Sequence, residues 1–306
     1  MLVDDVLKKD KRAAARLITL VEDGKADPRT LEELHRNTRD ARVVGVTGPP
    51  GTGKSTLIAC LAKAYRNEGK LVGILAVDPT SPFSGGAILG DRIRMNELTM
   101  DQGVFIRSFA SRGYGGGLSR AIFGALKVLD AYGMDVIFLE TVGAGQDEVK
   151  VYNIAHTNLL VESPGWGDDI QLLKAGILEI ADVFVVNKSD MDGAEKLVWD
   201  LEAMLETRAG GWRPRVVKTV AVKNEGIGDV LKALEEHNAY LDESGERAAR
   251  ARRRTEFEIS EIMNIELRKR CEVALGSGYS KLIDDVMRRK KDPHGAAREI
   301  LKKMAD

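Results

Sequence analysis

Between residues 42 and 240 the chain alternates short, continuously apolar runs with stretches of helical spacing, and this alternation limits the possible folds most strongly. Continuous apolar runs indicate strands buried on both faces, and the helices between them indicate right-handed crossovers in a mostly parallel sheet. We therefore predict an α/β fold in which helices flank the sheet and functional loops follow the carboxyl ends of the strands. The predicted strands are Val43–Val46, Leu71–Val77, Val104–Ile106, Val136–Leu139, Leu159–Val161, Val183–Val186 and Val216–Val222.

Helical segments are predicted on both sides of the alternating region. Near the N-terminus, apolar residues from Ala13 to Val21 repeat at helical spacing, and Asp27-Pro28 marks a break before a second short helix. After Ser244-Gly245, a long segment without glycine runs to Leu275. The predicted division is an N-terminal helical segment over residues 1–41, a central α/β domain over residues 42–241 and a C-terminal helical arm over residues 242–306.

The C-terminal segment opens with closely spaced arginines, which we predict to form a solvated helix face rather than a partner surface. Further along this segment, Ile259, Ile262 and Met263 supply an apolar edge at helical spacing. The arginines are Arg247, Arg250, Arg252, Arg253 and Arg254.

Composition excludes several classes of function. Lys+Arg 46 against Asp+Glu 47 gives a formal net charge of -1, so we expect no binding to nucleic acid or to a membrane surface, which both depend on accumulated positive charge. No run of about 18 apolar residues occurs, and the polar first ten residues do not resemble a secretory signal. Cys60 and Cys271 are far apart and outside any CxxC pair, so we expect a reducing, cytoplasmic location.

A glycine-rich loop directly follows the first predicted strand. Its sequence, Gly48-Pro49-Pro50-Gly51-Thr52-Gly53-Lys54-Ser55, matches the pattern GxxxxGK[ST]. Glycines allow several backbone N–H groups to approach phosphate oxygens, and a helix beginning at Lys54 would present its N-terminus to the anion. We predict that Lys54 neutralises the β- and γ-phosphates and that the Ser55 hydroxyl binds Mg²⁺. The central domain is therefore predicted to be a P-loop nucleotide-binding domain.

A second motif, Asn187-Lys188-Ser189-Asp190, follows the sixth predicted strand and indicates guanine as the base. The Asp190 carboxylate can accept hydrogen bonds from guanine N1–H and the exocyclic amine, whereas adenine has no matching donors and would leave it unpaired. We expect Lys188 to lie along the base plane and Asn187 to brace the loop. An ordinary helix cap at Ser189 or Asp190 is the alternative. After the next strand, a backbone N–H of Thr219-Val220-Ala221 is suited to the guanine carbonyl.

Two further predicted strands end in carboxylates, at Asp78 and at Glu140. The segment Glu140-Thr141-Val142-Gly143 resembles a [DE]xxG element, in which the acid lies near Mg²⁺ and the glycine N–H meets the γ-phosphate. Asp78–Pro82 and Gly90–Arg92 stand where a first switch loop is expected. Helix caps or solvated turns are the alternative for each acid. No single residue stands out as a general base, but this does not count against hydrolysis, because phosphoryl transfer depends mainly on positioning and charge neutralisation. For Gln146, two roles stay open: orienting water, or a structural role.

Taken in order, these segments resemble one known family. The MeaB/ArgK-type GTPases, relatives of the human methylmalonic-aciduria type A protein, are chaperones of adenosylcobalamin-dependent acyl-CoA mutases. Arg16–Glu22 also resembles the N-terminal segment of that family, so the resemblance covers nearly the whole chain. The segments that carry it are Gly48–Ser55, Asp78–Met95, Glu140–Gln146 and Asn187–Asp190.

The resemblance implies a Mg²⁺-dependent GTP hydrolase that changes state between GTP and GDP. It implies an acyl-CoA mutase of the methylmalonyl-CoA mutase type as the partner, whose cofactor loading it gates and which it protects. It also implies a homodimer formed through the C-terminal arm. Catalytic roles fall to Lys54, Asp91 and Glu140, and Mg²⁺ contacts to Ser55, Asp78, Asp91 and Glu140. The predicted nucleotide contacts are Gly48, Gly51, Thr52, Gly53, Lys54, Ser55, Thr56, Gly143, Asn187, Lys188, Asp190, Val220 and Ala221.

Some residues depart from the pattern of that family. Ser163–Lys174 resembles its additional mobile loop, switch III, which relays nucleotide state to the mutase. Within it, Trp166 is bulkier than the usual small residue, and Asp169-Ile170 replaces the commoner Glu-Leu. Val220 stands where Ser is frequent in the guanine-carbonyl loop.

Other classes of nucleotide-binding protein share this branch of the fold. A metallochaperone GTPase for nickel enzymes usually carries a His-rich tract or a CxxC-like site, which this sequence lacks. A nucleotide-dependent kinase or a transport-associated ATPase is disfavoured by Asp190. A targeting GTPase of the signal-recognition type would need a Met-rich or RNA-binding module, and the nine methionines are dispersed.

Overall fold

The computed structural model of the chain describes residues 2–79, 96–111, 117–141, 152–165, 180–206, 211–275 and 278–305. It divides into two compact units, residues 1–255 and residues 256–306. The predicted domain boundaries after residues 41 and 241 stay predictions. Among the described residues, no helix combines the length and the apolar character needed to cross a membrane.

A seven-stranded sheet forms the centre of the first unit, and every neighbouring pair of strands is parallel. The strand order is β3-β2-β4-β1-β5-β6-β7. This confirms the predicted α/β fold with its parallel sheet. The strands are β1 (Arg42–Thr47), β2 (Val72–Pro79), β3 (Val104–Ser111), β4 (Val136–Glu140), β5 (Thr157–Glu162), β6 (Val183–Asn187) and β7 (Arg215–Thr219).

Helices precede, connect and follow these strands. The long helix α9 crosses the boundary between the two units, and α10 and α11 lie in the second unit. The described helices are α1 (Leu2–Leu7), α2 (Lys11–Glu22), α3 (Pro28–Arg36), α4 (Lys54–Asn67), α5 (Asn96–Thr99), α6 (Gly117–Tyr132), α7 (Ala194–Glu206), α8 (Ile227–Glu243), α9 (Glu246–Leu275), α10 (Gly278–Met287) and α11 (Pro293–Ala305).

Burial of the strands follows their place in the sheet. All residues of β4, β5 and β6 are buried, as expected for inner strands that are covered on both faces. The edge strand β7 instead has exposed Arg215 and Lys218 between less exposed residues. The predicted strand Val216–Val222 was too long at its C-terminal end, because a 3₁₀ turn takes over at Ala221–Lys223. That turn closes at Asn224, whose φ of 59° is left-handed.

Both faces of the sheet carry an apolar core. On one face, α4 and α8 pack against the strands through residues such as Leu57, Leu61 and Val230. On the other face, Phe184 and Leu201 join β6 to α7. The helices therefore fix the strand ends on which the polar loops stand.

The N-terminal helices pack on α6 rather than standing apart. A Cβ added at Gly124 in α6 would come within 2.1 Å of a methyl carbon of Val21 in α2, so the two helices approach closely there. Asp10 caps α2 through hydrogen bonds to two backbone N–H groups, and Asp27 caps α3, whose first residue is Pro28. The break predicted at Asp27-Pro28 is therefore the start of α3.

The amino ends of the central strands carry a buried polar cluster, which we call the amino-edge cluster: His156, Asp182, His237, Arg250 and Arg254. Asp182 directly precedes β6 and is 1% exposed. Arg250 donates to both of its carboxylate oxygens, at 2.7 and 2.8 Å. Arg250 also donates to the carbonyl of His156, at 2.8 Å.

The prediction of a solvated arginine face was therefore wrong at Arg250, and also at Arg254, which is half-buried and lies 3.2 Å from His156 Nε2. The Arg250 side chain is 15% exposed, because the first turns of α9 lie against the starts of β5 and β6, where the Asp182 carboxylate needs a buried cation. Arg252 and Arg253 on the same helix are exposed, as predicted.

Candidate functional site

The loop after β1 turns sharply into α4, as the GxxxxGK[ST] pattern predicted. Helix α4 begins at Lys54, after Gly53 in a left-handed conformation with φ of 92°. A Cβ on Gly48 would lie 2.0 Å from the Val161 carbonyl oxygen, and one on Gly53 would lie 2.4 Å from the Asn187 side-chain nitrogen. Only glycine fits at these two positions, because the loop passes so close to β5 and to the last residue of β6.

Lys54 folds back over its own loop. Its ammonium donates to the carbonyls of Gly48 and Pro49, at 2.8 and 2.9 Å, and the residue is 6% exposed. Thr52 Oγ1 also donates to the Pro49 carbonyl, at 3.0 Å. A phosphate oxygen is a stronger acceptor than a neutral carbonyl, so the ammonium is placed where an anion can replace these two acceptors.

Ser55 and Glu140 meet at the carboxyl edge of the sheet. Val46 of β1 pairs with Glu140 of β4, so the end of β4 lies beside the loop that follows β1. Ser55 Oγ donates to Glu140 Oε1 at 2.6 Å, and both residues are buried. Thr141 extends the contact between the strands, since its N–H donates to the Val46 carbonyl at 3.1 Å.

Asn187 joins three segments of the site. Its side-chain nitrogen donates to the Thr52 carbonyl in the phosphate loop, at 2.8 Å. Its side-chain oxygen accepts from Thr219 Oγ1 and from the Ala221 N–H, each at 3.1 Å. The residue is 3% exposed, so these bonds form away from water, and they tie the loops after β1, β6 and β7 to one another.

Lys188 and Asp190 lie at the more open side of the site. Lys188 has a left-handed backbone, with φ of 57°, and its ammonium donates to the Gly51 carbonyl at 2.7 Å. The Asp190 carboxylate accepts from the Lys223 ammonium at 2.8 Å, and this contact lowers its pKa below the usual value. The next helix, α7, begins at Ala194, so neither Ser189 nor Asp190 is its N-cap.

These loops surround a cavity of about 440 Å³. Most predicted nucleotide contacts line it, whereas Gly48 and Thr52 of the phosphate loop do not. Pro50, Val77, Thr141 and Val222 also line it and were not predicted. The lining residues are Pro50, Gly51, Gly53, Lys54, Ser55, Thr56, Val77, Glu140, Thr141, Asn187, Lys188, Asp190, Val220, Ala221 and Val222.

Several predicted site residues fall outside the described part of the chain. Asp91, Gly143, Gln146 and the switch III-like residues from Trp166 onward are among them. For Asp78, the backbone is described as part of β2, whose pairing with β3 continues to Pro79. The roles assigned to these residues stay predictions.

Sequence reasoning also missed residues that the fold brings to the site. Thr141 reaches the cavity because it follows β4 directly, a position that the predicted strand end already indicated. Lys223 reaches Asp190 from 33 residues away, and no sequence pattern pairs the two. In the residues that the structure covers, no group of three or more His, Cys, Asp and Glu side chains could hold a metal ion.

A P-loop between a buried strand and a helix, next to an Asn-Lys-Ser-Asp loop at the carboxyl edge of a parallel sheet, defines the class of P-loop GTPases. Within that class, the chain belongs to the MeaB family. Residues 14–275 match the family model described as "Methylmalonyl Co-A mutase-associated GTPase MeaB".

Relatives of this chain carry names that agree with this membership. A Pyrococcus abyssi protein named as a GTPase is 47% identical over 99% of this chain and 96% of its own length. The methylmalonic aciduria type A homolog of Mus musculus is 35% identical, over 81% of this chain and 65% of that protein. GTPase ArgK of Escherichia coli is 37% identical, over 66% of this chain and 63% of that protein. The protein is therefore a GTPase that hydrolyses GTP.

A solved structure shares the fold. The crystal structure of LAO/AO transport system kinase matches with a TM-score of 0.72, covers 100% of this chain and 97% of its own, and is 23% identical. At that identity the similarity concerns the fold alone.

Proposed function

We propose that this GTPase is a nucleotide-dependent switch that serves as a chaperone for an adenosylcobalamin-dependent acyl-CoA mutase. The observation that carries the proposal is the family match over residues 14–275, whose description names association with methylmalonyl-CoA mutase. The relative named for methylmalonic aciduria type A supports it. In this proposal the switch gates cofactor loading and protects the mutase.

The phosphate-binding part of the proposal rests on contacts that an anion can replace. Lys54 turns from the carbonyls of Gly48 and Pro49 to the β- and γ-phosphates, and the backbone N–H groups of the loop and of the first turn of α4 meet the same oxygens. These groups hold the triphosphate in place and neutralise charge that develops as the bond to the γ-phosphate breaks.

The residues at the phosphate end also suit Mg²⁺. A hydroxyl and a carboxylate are oxygen ligands of the kind that Mg²⁺ prefers, and Ser55 and Glu140 already converge within 2.6 Å in a buried position. Mg²⁺ usually takes only one or two protein carboxylates and completes its shell with water and substrate phosphates. Ser55 and Glu140 would hold the ion, which would supply positive charge to the phosphates; the Mg²⁺ contacts predicted for Asp78 and Asp91 stay predictions.

Guanine recognition is assigned to the other end of the cavity. Asp190 accepts from guanine N1–H and the exocyclic amine. Val220 and Ala221 line the cavity, but their N–H groups donate to the Glu225 carbonyl and to Asn187 Oδ1, so a contact to the guanine carbonyl would replace one of these bonds. We expect Asp190→Asn to lower GTP affinity by about tenfold or more and to leave ATP affinity unchanged, because the amide loses one acceptor and gains a donor. Equilibrium titration with labelled GTP and ATP measures this. Equal affinity of the wild-type protein for both would contradict the guanine assignment.

The partner is tested by affinity capture from a lysate of the source cells. The protein is immobilised with a non-hydrolysable GTP analogue in one sample and with GDP in the other, and the captured proteins are identified by mass spectrometry. We expect an acyl-CoA mutase to be enriched in one nucleotide state. A hydrogenase or urease maturation factor in its place would support a nickel metallochaperone and overturn the mutase proposal.

We extend the proposal to a homodimer formed through the C-terminal arm. The part of α9 in the second unit carries Ile259, Ile262, Met263 and Leu267, each between 42% and 57% exposed, at the spacing of one helix face. Light scattering after size exclusion should give twice the chain mass for the wild type and for an exposed polar control, Asn264→Glu. Ile262→Glu together with Met263→Glu should give a monomer. If the wild-type protein is a monomer, the proposed dimer is contradicted, and GTP hydrolysis is not affected by that result.

A further inference from the structure

Lys223 stands outside the cavity but holds the residue to which we assign guanine recognition. Its ammonium lies 2.8 Å from Asp190 Oδ2, and Lys223 does not line the cavity as Asp190 does. Both side chains are about half exposed, at 53% and 42%. The pair therefore lies at the rim of the cavity, and Lys223 can affect a ligand only by changing the position of the Asp190 carboxylate.

The position of Lys223 is fixed by backbone contacts. The 3₁₀ turn that carries it is closed by hydrogen bonds from the Lys223 N–H to the Val220 carbonyl, at 2.9 Å, and from the Asn224 N–H to the Ala221 carbonyl, at 3.1 Å. Asn224 ends the turn in a left-handed conformation. At the other end of the turn, the Ala221 N–H is held by Asn187. The turn that carries Lys223 is therefore held by Asn187, whose side chain also bonds the phosphate loop.

Lys223 and guanine can bind the same carboxylate together. An ionised carboxylate has two oxygens with about four acceptor positions, and the ammonium uses one of them. Two acceptor positions satisfy the N1–H and exocyclic amine of guanine. The ammonium also restricts a carboxylate on an exposed turn that would otherwise sample several rotamers, which reduces the ordering that the ligand must impose.

We propose that Lys223 is a positioning residue for guanine recognition, which orients the Asp190 carboxylate from behind and raises affinity for guanine nucleotides over adenine nucleotides. The inference rests on the proposed guanine role of Asp190. Lys223 also lowers the pKa of Asp190, as expected for a cation held against this carboxylate. No contact between Lys223 and the nucleotide is required.

The test is equilibrium titration of the full chain with fluorescently labelled GDP and ADP. Lys223→Met should weaken GDP binding by roughly three- to fivefold, the range expected for an exposed ion pair, and leave ADP binding unchanged. Lys223→Arg should bind GDP as the wild-type protein does, since arginine retains the positive charge. The matched control is Lys218→Met, which removes a lysine of similar exposure that pairs with Glu195 at 2.7 Å and does not line the cavity, and it should change neither affinity.

Asp190→Asn supplies the background that isolates the coupling. In this background Lys223→Met should have no further effect on GDP, because the carboxylate that Lys223 positions is gone. Three results overturn the inference. They are the same threefold loss when Lys223→Met is combined with Asp190→Asn, an equal loss of GDP and ADP binding in Lys223→Met, and unchanged or tighter GDP binding in Lys223→Met. A wild-type protein that binds GDP and ADP equally contradicts the guanine assignment itself. If the wild-type protein prefers GDP over ADP and Lys223→Met does not change GDP binding, only the role of Lys223 is contradicted.

Discussion

At the carboxyl edge of the sheet, Lys54 donates to two carbonyls of its own loop, whereas at the amino edge Arg250 donates to both oxygens of a buried carboxylate. Both cations are largely buried, and they differ in what accepts from them. A neutral carbonyl yields to a phosphate oxygen, but a buried carboxylate does not release its cation without leaving a charge uncompensated. The comparison separates exchangeable contacts, suited to a ligand, from permanent ones that hold the first turns of α9 against the sheet.

The amino-edge cluster is tied together by more than one ion pair. The Asp182 carboxylate also accepts from the Asn158 N–H at 2.8 Å and lies 3.3 Å from His237. Burial by itself would raise the pKa of this carboxyl, but the hydrogen bonds and charges of Arg250 and His237 outweigh it and hold the pKa well below its ordinary value. Asp182 therefore stays charged throughout the neutral range.

The largest expected effect is the loss of the Asp182 charge at the amino edge. Asp182→Ala should lower the free energy of unfolding by about 3–5 kcal/mol, because it leaves the Arg250 guanidinium buried without its counter-charge. Urea denaturation followed by circular dichroism measures the loss. The control is Asp242→Ala, which removes the exposed partner of Arg247 and should change stability little. If Asp182→Ala and Asp242→Ala lower the free energy of unfolding equally, the Arg250–Asp182 pair is not the permanent contact that distinguishes the amino edge.

The next largest effect lies at the carboxyl edge and concerns rate rather than stability. Lys54→Ala should lower kcat for GTP hydrolysis by roughly 10²–10³-fold, because a cation that stabilises developing charge is lost. Its free energy of unfolding should stay near that of the wild type, since the Gly48 and Pro49 carbonyls that lose a donor are neutral groups. Lys63→Ala in the same helix removes an exposed cation paired with Glu97 and should leave both quantities unchanged. Wild-type turnover in Lys54→Ala would contradict the phosphate role.

The smallest of these effects is a pH dependence from His156. Its Nδ1 accepts from the Val43 N–H at 2.9 Å, and Arg254 lies 3.2 Å from its Nε2. A second proton, placed on Nδ1, would break the bond from Val43, and the positive ring would then lie beside the Arg254 cation. Burial, followed by the charges of Arg254, Arg247 and Arg250, lowers the pKa of His156 to about 3. Because the unfolded chain takes up this proton near pH 6.5 and the folded chain does not, stability falls as the pH drops below about 6.5.

That loss should amount to about 1.6 kcal/mol between pH 6.5 and pH 5. In His156→Asn, whose side-chain oxygen can still accept from Val43 N–H, this part of the pH dependence should be absent. Urea denaturation at the two pH values compares the variants, and exposed His35→Asn serves as the control. If His156→Asn loses as much stability as the wild type over this range, His156 is not the group responsible.

The two edges also differ in how far the sequence foretold them. The phosphate loop was predictable, because its glycines, Lys54 and Ser55 are consecutive and their backbone geometry follows from local residue types. The Arg250–Asp182 pair was not, because 68 residues separate its members and a run of arginines reads as a solvated surface. The contact between Lys223 and Asp190 was missed for the same reason, although both belong to loops that the sequence placed at one sheet edge.

The sequence by itself determined the parallel α/β class, the start of α4 at Lys54 and the loops that gather at the carboxyl ends of the strands. These follow from residue periodicity and from consecutive residues, which act over one or two turns of chain. Only the tertiary structure decided that Lys54 rests on carbonyls, that Asn187 joins three loops and that Arg250 is buried. Those outcomes depend on which distant backbone and side-chain groups become neighbours and lose water together, and no local pattern encodes that.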